Sequence, residues 1–171
     1  MKKASNIRVL YLAKYAPVDG IDYSKDSSSV ELLVKYHKEV YDAISNNYSV
    51  ISSNKIDGIA MYHSKVDYVF SIFNDAPFRN PEVFVSSMAE YTRLPYLGAR
   101  PNIRALAEDK HIAKMVALYA GLPTAKWIIV NCDSAFDISQ ITFDGPYFVK
   151  PRYGAASVHI SQKNIFASRV C

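Results

Sequence analysis

The sequence predicts an α/β fold built on a parallel sheet, followed by a second, smaller unit with a sheet of its own. Three observations predict it. An apolar, β-rich run occupies 6–13, strands and amphipathic helices alternate from there to about Gly98, and a capped helix from Asn102 begins a new series. At 171 residues, with 50% hydrophobic and 21% charged residues, the chain has a globular composition sufficient for one good core or two small lobes.

The first element, "NIRVLYLA" (6–13), is bounded by polar residues and reads as a strand buried on both faces. A loop with Pro17, Gly20 and Ser27–Ser29 follows, and Ser29 can cap a helix in which Leu33, Tyr36/His37, Val40 and Ile44 recur at helical spacing. "YSVISS" (48–53) is a second strand, then comes a polar turn, and "DYVFSIFN" (67–74) is a third, the most apolar. Pro81 suits the first turn of the helix "PEVFVSSMAEYTRL", and "PYLGA" adds a short strand and a glycine stop. These elements place an α/β domain in residues 1–100.

Residues 101–171 form the second unit. Asn102 caps a helix predicted over 102–120, which Gly121-Leu122-Pro123 stops. "KWIIV" (126–130), "YFVK" (147–150) and "VHIS" (158–161) read as strands, with a short helix at 134–140 between the first two.

Charge and cysteine usage exclude several classes. The net charge of +4, spread evenly, does not argue for nucleic acid or an anionic membrane. Cys132 and Cys171 fit no metal spacing, and their separation suits a reducing cytoplasm better than a disulfide framework. The run Ile7–Ala13 is too short and too broken by Arg8 for a secretory segment, and no stretch approaches membrane-spanning length. The expectation is a soluble, cytoplasmic protein.

Lys150 leads the chemical candidates. It ends an apolar strand that packs its stem and presents its ammonium at a sheet edge, while Gly154, Ala155, Ala156 and Ser157 behind it let backbone N–H groups approach an anion. A lone lysine there would more often be a snorkelling surface residue. Lys110 lies seven residues from Ile103 and from Ala117, on a helix stripe with Leu106 and Ala113. Its alternatives are a ligand contact, an ion pair with Glu108 or Asp109, or snorkelling.

Asn74, Arg79 and Glu82 follow the third strand, at the carboxyl end where open α/β sheets bind ligands. Arg79 could hold a carboxylate or phosphate, although a helix start with Glu82 in its first turn explains the segment equally well. His37, His63, His111 and His159 lie on distinct elements and make no metal cluster. Asp22 and Ser27–Ser29 are better read as capping residues, and the thirteen tyrosines and eight phenylalanines as core. No nucleophile motif is present.

With these residues in place, the sequence resembles the D-alanine–D-alanine ligase-like branch of the ATP-grasp superfamily, as its amino-terminal portion. The resemblance rests on "LPYLGARPNIRALAEDKHIAKMVALYAGLPTAKWIIV" (94–130) and "FVKPRYGAASVHIS" (148–161), with the order of elements from the first strand onward. It implies a Rossmann-like pre-ATP-grasp domain followed by the first, central lobe of an ATP-grasp fold, here incomplete. It implies a ligase connected with peptidoglycan, in which ATP with magnesium phosphorylates a carboxylate and an amine attacks the acyl phosphate. Lys110 and Lys150 then match the two ATP-contacting lysines, and Gly154, Ala155, Ala156 and Ser157 match the loop over the phosphates. The implied partners are ATP and amino-acid-like molecules, with a homodimer through the first domain.

Departures from the family pattern are specific. Ala155 and Ala156 leave one loop hydroxyl, His159 replaces a glycine, and "FNDAPFRNPE" stands where the family has His-Gly followed by Gly-Glu-Asp-Gly. The family's second lobe, with its magnesium ligands and transition-state arginine, would lie beyond Cys171. The expectation is therefore a truncated ligase, inactive alone, with exposed apolar surface and no metal ligand in this chain. The alternative is a ligase-derived binding module without ATP chemistry.

Overall fold

A computed structural model describes residues 6–23, 28–73, 81–131, 135–154 and 160–168, without the side chains of residues 28, 29, 81 and 82. The chain falls into two compact units, Met1–Arg104 and Ala105–Cys171.

In the first unit, β1 (Arg8–Leu12) is the central strand of a parallel sheet, between β2 (Ser49–Ser53) and β3 (Tyr68–Ser71). Its register sets Leu10 opposite Ile51 and Val69, and Tyr11 opposite Ser52 and Phe70. Because successive side chains of a strand point to opposite faces, β1 builds two cores. Leu10 and Leu12 pack with Ile59 of α2 (Gly58–Tyr62), with Val66, Val69 and Phe73, and with Val85 and Ala89 of α3 (Pro81–Tyr91). Tyr11 and Ala13 pack with Val40, Tyr41 and Ile44 of α1 (Ser28–Ser45) and with Phe70 and Ile72. The result is a three-layer α/β arrangement, as the alternating pattern predicts.

Polar groups lock this unit at both ends of β1. At the amino end, Arg8 Nε and its terminal nitrogen donate to the two Asp67 oxygens at 2.9 and 2.8 Å, and the Arg8 guanidinium holds the Asp67 carboxyl down at a pKa of about 2. Beyond the carboxyl end, the buried His37 accepts the Tyr15 backbone N–H at Nδ1 (3.1 Å), while the Tyr11 hydroxyl donates to the His37 carbonyl (2.7 Å). Burial lowers the His37 pKa.

The expected polar turn at 54–66 instead contains α2 and a short 3₁₀ turn, His63–Lys65. Gly58 allows it: a Cβ there would lie 2.7 Å from both Leu12 Cδ2 and Ser53 Oγ, so the helix can approach the sheet only without a side chain. The short strand expected at "PYLGA" reduces to a single parallel bridge between Val69 and Tyr96.

The second unit departs further from the pattern. The helix predicted over 102–120 is two helices, α4 (Pro101–Glu108) and α5 (Lys110–Tyr119), broken at Asp109 in an extended conformation (φ −91°, ψ 99°). The Asp109 side chain competes with the helix for backbone N–H groups, and the break takes Lys110 off the stripe of Ile103 and Leu106. At its far end α5 closes as expected: Gly121 (φ 74°) donates its N–H to Leu118 and Leu122 donates to Ala117.

"KWIIV" forms no strand, because no neighbouring backbone among the described residues pairs with it. The 134–140 helix is a 3₁₀ turn at Ile138–Gln140 capped by Asp137. The sheet here is a two-stranded antiparallel ribbon of β4 (Tyr147–Phe148) and β5 (Ile165–Phe166), with Phe148, Val149, Ile165 and Phe166 exposed. β5 lies after the strand expected at 158–161, whose described part, Ile160 and Ser161, is not strand; Ser161 caps the turn before β5.

Two outcomes check this packing. His37 with a lowered pKa binds a proton less readily in the fold than in the unfolded chain. Its stabilising contribution is therefore present above its ordinary value of 6.5 and fades as pH falls below it. Melting between about pH 8 and pH 5 should fall by on the order of 5 °C in the native chain, and less in His37→Asn, which keeps an acceptor for Tyr15. Gly58→Ala gains helix propensity of roughly 1 kcal/mol but overpacks Leu12 and Ser53, so urea denaturation should show a net loss of about 1–2 kcal/mol.

Candidate functional site

The site is organised by a buried carboxylate. Asp109 is 4% exposed and caps α5, its Oδ1 accepting the backbone N–H of His111 (3.0 Å) and Ile112 (3.3 Å). Arg152, four residues after β4, completes the neutralisation with a bidentate pair: Nε to Oδ1 at 2.8 Å and a terminal nitrogen to Oδ2 at 2.5 Å. The Arg152 hydrogen bonds outweigh burial, and the Asp109 carboxyl titrates at about 2.

This pair joins the start of α5 to the segment after β4. The Lys110 backbone N–H donates to the Arg152 carbonyl at 3.1 Å, and its ammonium donates to the Gly154 carbonyl at 2.6 Å. Gly154 has φ +90°, a conformation that favours glycine, and a Cβ there would meet nothing within 4 Å. The sequence-derived candidates Lys110, Lys150 and Gly154 thus share one neighbourhood, which burial and the Lys150 charge make less favourable for protonated Lys110.

A third lysine joins them. Lys114, one turn along α5 from Lys110, donates to Thr124 Oγ1 (3.1 Å) and the Ala125 carbonyl (2.7 Å), and lies 5.1 Å from the centre of the Trp127 ring. Burial and then the Lys150 charge lower its pKa as well. The Trp127 indole N–H donates to His111 Nδ1 at 2.8 Å, which fixes His111 as the neutral tautomer protonated on Nε2. Lys150 itself sits 5.9 Å from the Phe148 ring.

Among the described residues, no carboxylate forms an ion pair with Lys110, Lys114 or Lys150; Glu108 and Asp109 act on Lys110 only as neighbouring charges, and Asp109 is committed to Arg152. Lys110 at the start of α5, Lys114 one turn on and Lys150 just after β4 suit an anion with distributed charge, such as a chain of phosphates. Among the same residues, no three His, Cys, Asp or Glu side chains group so as to hold a metal ion, so no metal-dependent step is assigned to them.

Ala155, Ala156 and Ser157 lie outside the described residues, as do Asn74, Arg79, His159, Cys132 and Cys171 and the side chain of Glu82. Sequence reasoning missed three participants: the Asp109–Arg152 pair, Lys114, and the Trp127–His111 contact. Lys114 carries a readable signal in its four-residue spacing from Lys110. Arg152 carries none, since its partner is 43 residues away.

No protein-family model matches the chain. It is 39% identical over 74 residues to the D-alanine–D-alanine ligase of Azoarcus sp. (strain BH72), covering 43% of this chain and 24% of that protein. It is 29% identical over 134 residues to the ligase of the same name from Clostridium botulinum (strain Alaska E43 / Type E3), covering 77% and 44%. The chain therefore spans less than half the length of these relatives. Among solved structures, D-alanine–D-alanine ligase from Bacillus anthracis superposes with a TM-score of 0.62 at 19% identity, over 88% of this chain and 47% of that one. The same enzyme complexed with ATP gives 0.57 at 15% identity, over 80% and 42%. No helix among the described residues is long and apolar enough to cross a membrane. In sequence and in fold, the chain resembles the amino-terminal portion of D-alanine–D-alanine ligases of the ATP-grasp type.

Proposed function

We propose that the lysine site, with Lys110 and Lys150 as its ligand contacts and Lys114 beside them, binds the phosphates of ATP and serves an ATP-dependent carboxylate–amine ligase of the D-alanine–D-alanine ligase kind. The observation that carries the reading is the cluster of Lys110, Lys114 and Lys150 with no carboxylate paired to it among the described residues. In such a reaction the γ-phosphoryl group passes from ATP to a carboxylate oxygen and ADP leaves; an amine nitrogen then forms the C–N bond as orthophosphate departs. Phosphoryl transfer depends mainly on positioning and on neutralising oxygen charge, which lysines at a fixed helix start supply.

The chain spans less than half of its curated relatives, so phosphate binding is proposed for these residues. Ligation is proposed only together with the length of those relatives that this chain does not span. Magnesium, amino-acid-like substrates, a peptidoglycan connection, a cytoplasmic location and a dimer through the first unit belong to the same proposal. A second reading, a binding module without ATP chemistry, is favoured by Ala155 and Ala156, where the family pattern carries glycine and serine.

Titration with ATP or inorganic tripolyphosphate, followed by the fluorescence of the chain's single tryptophan, tests the reading. Saturable binding is expected, and Lys150→Ala should weaken it at least about tenfold, the effect of losing one charge in a partly shielded site. Unchanged binding in that variant would remove Lys150 from the site. Asp109→Ala removes the helix cap and the partner of Arg152, and should cost about 1–2 kcal/mol of stability and weaken phosphate binding in parallel. In the native chain the Asp109 contribution is present above its ordinary value of 3.8 and disappears as pH falls through about 2.

A further inference from the structure

The Lys114 ammonium is held by two hydrogen bonds and an aromatic ring. The hydrogen bonds go to Thr124 Oγ1 and the Ala125 carbonyl, and the Trp127 ring face lies 5.1 Å away. Trp127 is held a second time, through its indole N–H to His111 Nδ1, and His111 and Lys114 are three residues apart on α5. Segment 124–127, which forms no strand ladder, is therefore tied to α5 through side chains. The first of these ties, at His111, adjoins Lys110.

We propose that Lys114 is a positioning residue of the phosphate site: it binds segment 124–127 to α5 and adds its charge beside Lys110 and Lys150 without touching the ligand. The inference rests on the phosphate-binding reading above and extends it to a residue that the ligand does not contact. A charge within a Debye length of bound phosphates contributes to affinity, and this contribution is screened by salt, whereas the packing of Trp127 is not.

The test is tripolyphosphate titration of the 171-residue chain and of Lys114→Met, Lys114→Arg and Lys150→Ala, each at low salt and at about 0.5 M salt. Lys114→Met should bind about tenfold more weakly at low salt, with much of the deficit gone at high salt, and Lys114→Arg should recover most of the affinity. Trp127 emission should shift in Lys114→Met before any ligand is added, reporting the lost ring contact. Native affinity in Lys114→Met alongside weakened binding in Lys150→Ala overturns the inference and leaves the site standing. A deficit that is the same at both salt concentrations overturns it too, since that marks a purely structural role. Absence of saturable binding by the native chain overturns both.

Discussion

A carboxylate buried to the extent of Asp109 must be neutralised and given donors, because the unpaired ion would cost more than the fold can supply. Four N–H groups meet that demand: two from Arg152 and the backbone amides of His111 and Ile112. Each donor has a geometric consequence. The two amides end the preceding helix and start a new one at Lys110, and the guanidinium brings the chain after β4 against that start. Lys110 then reaches the Gly154 carbonyl because its helix begins there and nowhere else. The lysine cluster depends on this pair.

The cluster is locally unfavourable. A lysine in the first turn of a helix opposes the helix dipole, and Lys150 adds like charge to both Lys110 and Lys114. Sites that break a local rule of charge placement without a compensating partner are commonly functional. An oxyanion relieves these penalties together: it pairs with Lys110 and Lys150, offsets the nearby charge of Lys114 and lies at the favourable end of the dipole.

The first unit was largely legible from pattern, since β1 is buried on both faces and its alternation of Leu10, Tyr11 and Leu12 states two cores directly. α2 was not, because its approach depends on the absence of a side chain at Gly58 beside residues distant in sequence. In the second unit, periodicity over 102–120 is compatible with one helix, and only the long-range Asp109–Arg152 pair decides that there are two. "KWIIV" is apolar enough for a strand, but a strand needs a partner, and Trp127 is recruited by Lys114 and His111 instead. Lys110 and Lys150 were readable as candidates. Their companion Lys114 was readable only as a helix neighbour four residues from Lys110, since helical spacing alone does not distinguish a site residue from a surface one.

The most direct measurement of the central claim is a nuclear magnetic resonance titration of the lysine side chains with tripolyphosphate. The ε-methylene signals of Lys110 and Lys150 should move together and saturate together as the anion binds. Shifts spread evenly over all lysines, or confined to lysines outside this cluster, would contradict it.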